Sequence, residues 1–400
     1  MTSPLTTLTY FVVIIVVGIL LSILAKKLKV SNLLLLLLAG IAMGAVSRKY
    51  NYIDAGTDTN SMVVLAILAL VVIIFDGSSR FEVKALSDFS VSALKLTGTF
   101  LVLNIIFLGL LTTALFFQEW TLINLLYAFI FAIIISGTDP ASVFAMLKTK
   151  TNKVIEFLEV EALINTPMMV ILPFILLDVI NQLESKVLLN WQSYLSAILT
   201  QILVGIGAGI FIGIIFFKAM KSIYSEEISP LAIITSALLA YILAENLGGN
   251  GVLSVAVLGF LFGNIYIANK AALQLFSTMV SNSLEILVFI LLGFIIEINI
   301  NLQFLGKSFA IFIIMILARY IATKTALKKK EYTPKEIWFV TLNMPKGIAV
   351  AVIAFSLSVL GLSQIETINN LIVVIMIYSL LTSTIINKMA NKFLNLESKL

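Results

Sequence analysis

The sequence predicts an all-α polytopic membrane protein, with about 13 transmembrane helices in two inverted six-helix repeats and two crossed broken helices. Three observations carry that prediction. Of the 400 residues, 60% are hydrophobic and 12% charged, with a mean hydropathy of +1.10, a balance foreign to soluble domains of this length. The apolar residues gather in segments of spanning length, about 17–25 residues each. Two of those segments, the fifth and the twelfth, are interrupted by Pro or Gly beside a charged residue.

The segments run roughly 8–25, 30–46, 61–77, 91–117, 121–147, 155–180, 192–217, 229–246, 250–268, 281–298, 303–323, 336–359 and 368–387. Their connections are short, so residues 1–400 read as a single transmembrane unit. Tyr10–Ala25 lacks the basic start and small-residue cleavage site of a signal peptide and reads as a retained first span. With the N-terminus placed outside, 20 loop Lys and Arg residues fall on the inner side and only four on the outer, namely Arg48, Lys49, Lys186 and Lys307. Such a loop bias sets orientation, here N-terminus outside and C-terminus inside the cell membrane. Spans one to six (8–180) and eight to thirteen (229–388) then form inverted repeats joined by the seventh (192–217), each with its interruption in the fifth position. Interrupted spans in corresponding positions point to a midplane site in a secondary transporter.

The first interruption lies in Ser136-Gly137-Thr138-Asp139-Pro140. Pro140 has no N–H for the carbonyl of Ser136 and its ring clashes there, so the helix must break. A break inside a bilayer survives only where protein or a wet cavity satisfies the freed groups. Asp139 sits in that break. In the next span Glu161 and Asn165 are four residues apart on one helix face, with Thr166 adjoining. Buried carboxylates and amides at this depth are costly unless paired, which marks Asp139, Glu161 and Asn165, with Thr166 beside them, as a candidate ion and proton path. The second interruption is Asn343-Met344-Pro345-Lys346-Gly347. Half-helix ends carry partial charges, positive at N-termini and negative at C-termini. Where two broken helices cross, Asp139 and Lys346 are of opposite sign, and each is expected to neutralise one pair of ends. Arg319, near the inner end of the eleventh span, shares a depth with Glu161 and is the other candidate for charge compensation; the alternative is that it snorkels to the interface.

The remaining acids in or beside spans carry weaker expectations. Asp76 reads as a cap at the inner end of the third span. Asp178, about 25 Å along its helix from Glu161, belongs to the outer rim. Glu245 reads as interfacial, and Glu285 and Glu297 as bracketing the tenth span near its ends.

With no cysteine and no histidine, the chain has neither thiolate metal sites nor the usual pH switch, so proton coupling must use carboxylates or a lysine. The net charge of +5 is accounted for by topology and does not suggest nucleic-acid binding. No phosphate loop, HExxH, serine-nucleophile elbow or cofactor motif appears, which argues against an ATP-driven pump and against an enzyme. An intramembrane aspartic protease would want two facing aspartates, and Asp139 has no evident aspartate partner. A channel remains the other class to weigh.

Several motifs, in order, resemble one family. GTDPASVFAMLK resembles the T-D-P-x-x-V segment of the monovalent cation:proton antiporter superfamily, sodium/proton exchanger branch, and EALINT resembles that branch's E-S-L-L-N-D. LAENLGGNGVLSVAVLGFLFGN, VFILLGF, the Arg of ILARY and the basic residue before Gly in a late broken helix follow the same order. The likeness covers almost the whole chain. It implies a homodimer in the lipid bilayer, each protomer moving a core domain against a dimerisation domain, with monovalent cations and protons competing for carboxylates and no cofactor. It further implies Thr138 and Asp139 at the crossing, Glu161 and Asn165 beside it, Arg319 paired with Glu161, and Asp139 and Glu161 as oxygen ligands for the cation.

Two positions depart from the family pattern. The ion-binding aspartate that should follow Asn165 is Thr166, which offers a neutral oxygen and cannot release a proton near neutral pH. Lys346 stands where the family has Arg, replacing a permanently charged fork with a group whose pKa moves readily on burial. Either coupling resides in Asp139, Glu161 or Lys346, or the chain no longer couples cations to protons. The expected function is exchange of Na⁺ or K⁺ for protons by alternating access; the alternative is an uncoupled cation pathway, or a transporter of another small solute on the same scaffold.

Overall fold

The structure, a computed structural model, describes residues 4–28, 30–50, 59–80, 90–139, 150–184, 191–222, 227–267, 269–296, 301–327, 331–358, 363–394 and 397–398. In chain order the helices are α1 (Pro4–Leu28), α2 (Asn32–Tyr50), α3 (Thr59–Ser79), α4 (Ser90–Thr112, running into a π turn Thr113–Phe117) and α5 (Leu122–Ser136). They continue with α6 (Lys153–Glu184), α7 (Trp191–Ser222), α8 (Ile228–Asn246), α9 (Gly251–Asn264), α10 (Lys270–Ile295) and α11 (Leu302–Ala326). Last come α12 (Pro334–Leu342), α13 (Ile348–Ser358), α14 (Ser363–Lys388) and the short α15 (Ala390–Phe393). The extended pairing among the described residues is a two-residue antiparallel bridge, Lys150–Thr151 with Glu397–Ser398.

Eight of the described helices are long and apolar enough to cross a membrane, and four shorter ones are apolar as well. The predicted spans coincide with helices, with two informative exceptions. The twelfth is two helices, α12 and α13, separated by the non-helical residues 343–347. The fifth is represented by α5; its second half, with Pro140, lies outside the described residues, as do Glu297 and the loop residues Lys29, Lys84, Lys148, Lys186, Lys328, Lys329, Lys330 and Lys399. One expectation is corrected. The tenth span was expected to begin near residue 281, with Glu285 near its end, but α10 begins at Lys270 and Glu285 falls mid-helix. The first half of α10 carries Gln274, Ser277, Thr278, Ser281, Asn282 and Ser283, which lower local hydropathy without breaking the helix.

Helix starts follow from local chemistry. The Thr121 hydroxyl accepts from the N–H of Asn124, Asn250 Oδ1 from Leu253, and Asn301 Oδ1 from Phe304, each supplying an acceptor for a first-turn donor. Thr333 and Glu336 form a reciprocal capping box with Pro334 at the first helical position, which fixes where α12 begins.

The chain divides into two compact units. One comprises Met1–Ala66, Phe89–Ala162 and Glu285–Leu400, the other Ile67–Asp88 and Leu163–Leu284. In the first, α4 packs along both α5 and α11, and α14 packs against α2, α5, α12 and α13. Gly40 and Gly44 of α2 sit against the carbonyls of Ile290 and Phe294, where any Cβ would collide with backbone. This is the small-residue spacing that lets apolar helices approach closely when lipid offers no hydrophobic drive. In the second unit α7, α8 and α9 pack on one another. There Gly205 and Gly209 of α7 play the same part against the carbonyls of Asn250 and Ser254.

Candidate functional site

The site is built where the two interruptions meet, inside the first unit. α5 ends at Ser136, and Gly137 turns to an extended backbone (φ −60°, ψ 140°) while its N–H still reaches Ile134 O at 3.2 Å. α12 ends at Leu342, and Asn343 closes it by donating its N–H to Phe339 O. The Asp139 N–H donates to Pro345 O at 2.9 Å, joining the two non-helical stretches directly. Lys346 Nζ donates to Gly137 O at 2.9 Å, and the N–H of Ile348, the first residue of α13, donates to Asp139 Oδ2 at 3.4 Å. A lysine ammonium therefore sits at the carbonyl end of α5, and a carboxylate at the N–H end of α13. Each interruption supplies the charge that the other's helix end favours.

The freed groups around residues 343–347 are satisfied from α14. Ser383 Oγ donates to Asn343 Oδ1 at 2.6 Å, Asn343 Nδ2 donates to Asn387 Oδ1 at 2.8 Å, and the Lys346 N–H donates to Ser379 Oγ at 3.3 Å. Ser379, Ser383 and Asn387 recur every four residues and so share one face of α14. All four polar side chains are buried, so this network keeps an irregular backbone stable where water is scarce.

Beside the junction lies a buried ion pair. Arg319 Nη1 and Nη2 donate to Glu161 Oε1 and Oε2 at 3.0 and 2.9 Å, a two-pronged geometry, with the two side chains 0% and 1% exposed. Arg319 does not snorkel. Thr138 Oγ1 lies 3.0 and 3.1 Å from the same two oxygens, so both oxygens of Glu161 are engaged. On α4, Asn104 Nδ2 donates to Ser136 Oγ at 2.9 Å, tying that helix to the end of α5. Four residues earlier on the same face of α4, the ring of Phe100 lies 4.9 Å from the Arg319 guanidinium and 5.6 Å from Lys346 Nζ.

Thr138, Asp139, Glu161, Arg319 and Lys346 are thus gathered in one unit. Asn165 and Thr166 follow Glu161 on α6 but belong to the second unit, Asn165 buried and Thr166 half-buried. Asp139 itself is half-buried, and its charge is near enough to act on Glu285 of α10. Elsewhere, Asp76 is buried in the last turn of α3, its two oxygens accepting from Arg80 at 2.6 Å and Thr278 at 2.9 Å. Asp178 accepts from Asn250 Nδ2 at 3.5 Å, and the exposed Glu245 accepts the Gly251 N–H at 2.9 Å, capping α9. Sequence reading overlooked Phe100, Ser379, Ser383 and Asn387. The four-residue spacing of the last three was the one available signal, and an aromatic within an apolar span gave none.

Comparison with known proteins agrees with this architecture. Residues 11–392 match the model of the transmembrane sodium/hydrogen exchanger family. The K(+)/H(+) antiporter NhaP2 of Shewanella baltica is 26% identical over 371 residues, covering 91% of this chain and 62% of that protein. The chain therefore spans less than two thirds of the length of that relative. The low-affinity Na(+)/H(+) antiporter NhaS1 of Synechocystis is 33% identical over 147 residues, 36% of this chain and 27% of that one. Among solved structures, the sodium proton antiporter MjNhaP1 of Methanocaldococcus jannaschii superposes with a TM-score of 0.78 at 19% identity, covering 97% of this chain and 100% of that one, a likeness of fold.

Proposed function

This chain belongs to the sodium/hydrogen exchanger family, and from that premise we propose that it exchanges Na⁺ or K⁺ for protons across the membrane by alternating access. The observation that carries the reading is the junction of the two interrupted spans. There Asp139, half-buried and set against the N-terminus of α13, is the carboxylate with access to solvent and a preorganised surround. Both oxygens of Glu161 are occupied by Arg319 and Thr138, so Glu161 holds the site together while Asp139 meets the ion. Cation and proton compete there because both stabilise the same charge. Lys346 and Arg319 compensate the acids, and Asn165 and Thr166 are candidate neutral ligands by family resemblance. The proposal extends to the arrangement around the site: repeats 8–180 and 229–388 inverted about the linking helix 192–217, N-terminus outside and C-terminus inside the cell membrane, and a homodimer.

Thr166 favours a second reading, an uncoupled cation pathway or transport of another small solute, because the position next to Asn165 cannot carry a proton. One experiment separates the two. In proteoliposomes, an imposed Na⁺ or K⁺ gradient drives a pH change if exchange is coupled, and Asp139→Asn abolishes it. An ion flux that never accumulates cation against its gradient and moves no proton would establish the uncoupled pathway instead.

A further inference from the structure

Both buried cations of the site face one aromatic ring. Phe100 is 0% exposed, as are Arg319 and Lys346, and its ring centroid lies 4.9 Å from the guanidinium and 5.6 Å from the ammonium nitrogen. Both distances fall within the reach of about 6 Å over which a ring quadrupole attracts a cation. The side chain is held there by its helix. Thr97, Phe100 and Asn104 follow one another at three- and four-residue spacing on one buried face of α4, and Asn104 is bonded to Ser136 at the end of α5. That face therefore delivers Phe100 to the place where α5 stops.

The two cations need such a partner. Arg319 spends both terminal nitrogens on Glu161, and its Nε has no hydrogen-bond partner among the described residues. Among the described residues the Lys346 ammonium makes one hydrogen bond, to Gly137 O, where a hydrated ammonium would donate three. Of the charges that act on Lys346, Glu161 on α6 attracts it and Arg319 repels it. A ring that attracts both offsets part of that repulsion and, unlike water, fills the space without offering either cation another acceptor.

We propose that Phe100 is a positioning residue, its π face holding Lys346 on the end of α5 and Arg319 on Glu161, so that the position requires an aromatic ring rather than bulk alone. Its consequence for transport rests on the exchange reading above; the positioning does not.

Stepwise fluorination of the Phe100 ring tests this, because it drains the quadrupole while nearly preserving shape. Thermal unfolding in detergent and cation-dependent pH change in proteoliposomes are measured for Phe100, its mono-, di- and trifluoro forms, and Phe100→Leu. The midpoint is expected to fall with each fluorine, and Phe100→Leu to lower the exchange rate about tenfold, the scale of losing a desolvated cation–π contact. In the Arg319→Gln/Lys346→Met background the fluorine dependence should vanish. Midpoints that ignore fluorination, or that respond equally without the two cations, would overturn the proposal. Graded midpoints in a wild type that shows no exchange would support the positioning role while refuting the exchange reading.

Discussion

Gly347 lies against Asp139 so closely that a Cβ on residue 347 would overlap both the carboxylate and the Cβ of Asp139. The glycine is what lets the acid reach the first N–H of α13, at Ile348. Because the clash includes Cβ and not only the far end of the side chain, rotation of Asp139 cannot relieve it. Gly347→Ala should therefore lower the thermal midpoint in detergent and abolish cation-dependent proton movement in proteoliposomes. Adding Asp139→Gly should restore the midpoint in part and leave transport absent, since the Cβ of residue 139 is gone but so is the charge. Wild-type transport in Gly347→Ala would mean that the junction is not held as tightly as its contacts imply.

The Glu161–Arg319 pair gives a thermodynamic prediction. With both side chains excluded from solvent, removing one partner strands the other, at a cost of about 3–5 kcal/mol. Glu161→Gln and Arg319→Gln should each destabilise the protein strongly in detergent. The double variant should recover part of the loss, because no uncompensated charge remains. Thr138→Val should cost less than either, since it removes one hydroxyl contact and leaves the two-pronged pair intact. Additive losses for Glu161→Gln and Arg319→Gln in thermal unfolding would contradict the direct contact.

Hydropathy and proline placement made most of the helices and both interruptions legible in the sequence, because a bilayer leaves few other ways to read long apolar segments. Glu161 and Arg319 were paired by their shared depth together with the family resemblance. What escaped has identifiable causes. Glu285 was placed near a helix end because the polar face of α10 before it resembled a loop. Phe100 is one of 27 phenylalanines, most of them in apolar surroundings, and nothing in the sequence distinguishes the ring that faces two cations from those that face leucines. Nor does the sequence mark where α6 passes from one compact unit to the other, at Ala162–Leu163, since the helix runs on across that point. Long-range packing decides these features, and local pattern does not carry it.

Placement of Glu285 in mid-helix, within electrostatic reach of Asp139, has a measurable consequence. If Asp139 is the group at which cation and proton compete, the pH dependence of exchange must reflect every charge that acts on it. Glu285→Gln is expected to displace the pH profile of cation-driven proton movement while insertion and folding stay intact. Asp139→Asn should instead flatten activity across the whole range, and adding Glu285→Gln to it should change nothing further. A pH profile in Glu285→Gln superimposable on wild type would remove Glu285 from the electrostatics of the site.

Thr166 decides between coupled and uncoupled transport. It lies one residue beyond Asn165 on α6, half-buried, with a hydroxyl where a titratable ligand would bind cation when ionised and proton when neutral. If coupling in the wild type depends on Asp139, exchange should be present, lost in Asp139→Asn, and changed only in degree by Thr166→Asp. If the wild type conducts cation without moving protons, Thr166→Asp should create cation-dependent proton exchange, with activity rising as pH passes the pKa of the new carboxylate. The substitution is conservative in size, at a position that is half-buried. Proteoliposome pH measurements across the pH range, with Na⁺ and K⁺ in turn, distinguish these outcomes. Absence of exchange in both wild type and Thr166→Asp, in protein that is folded and inserted, would reject antiport for this chain.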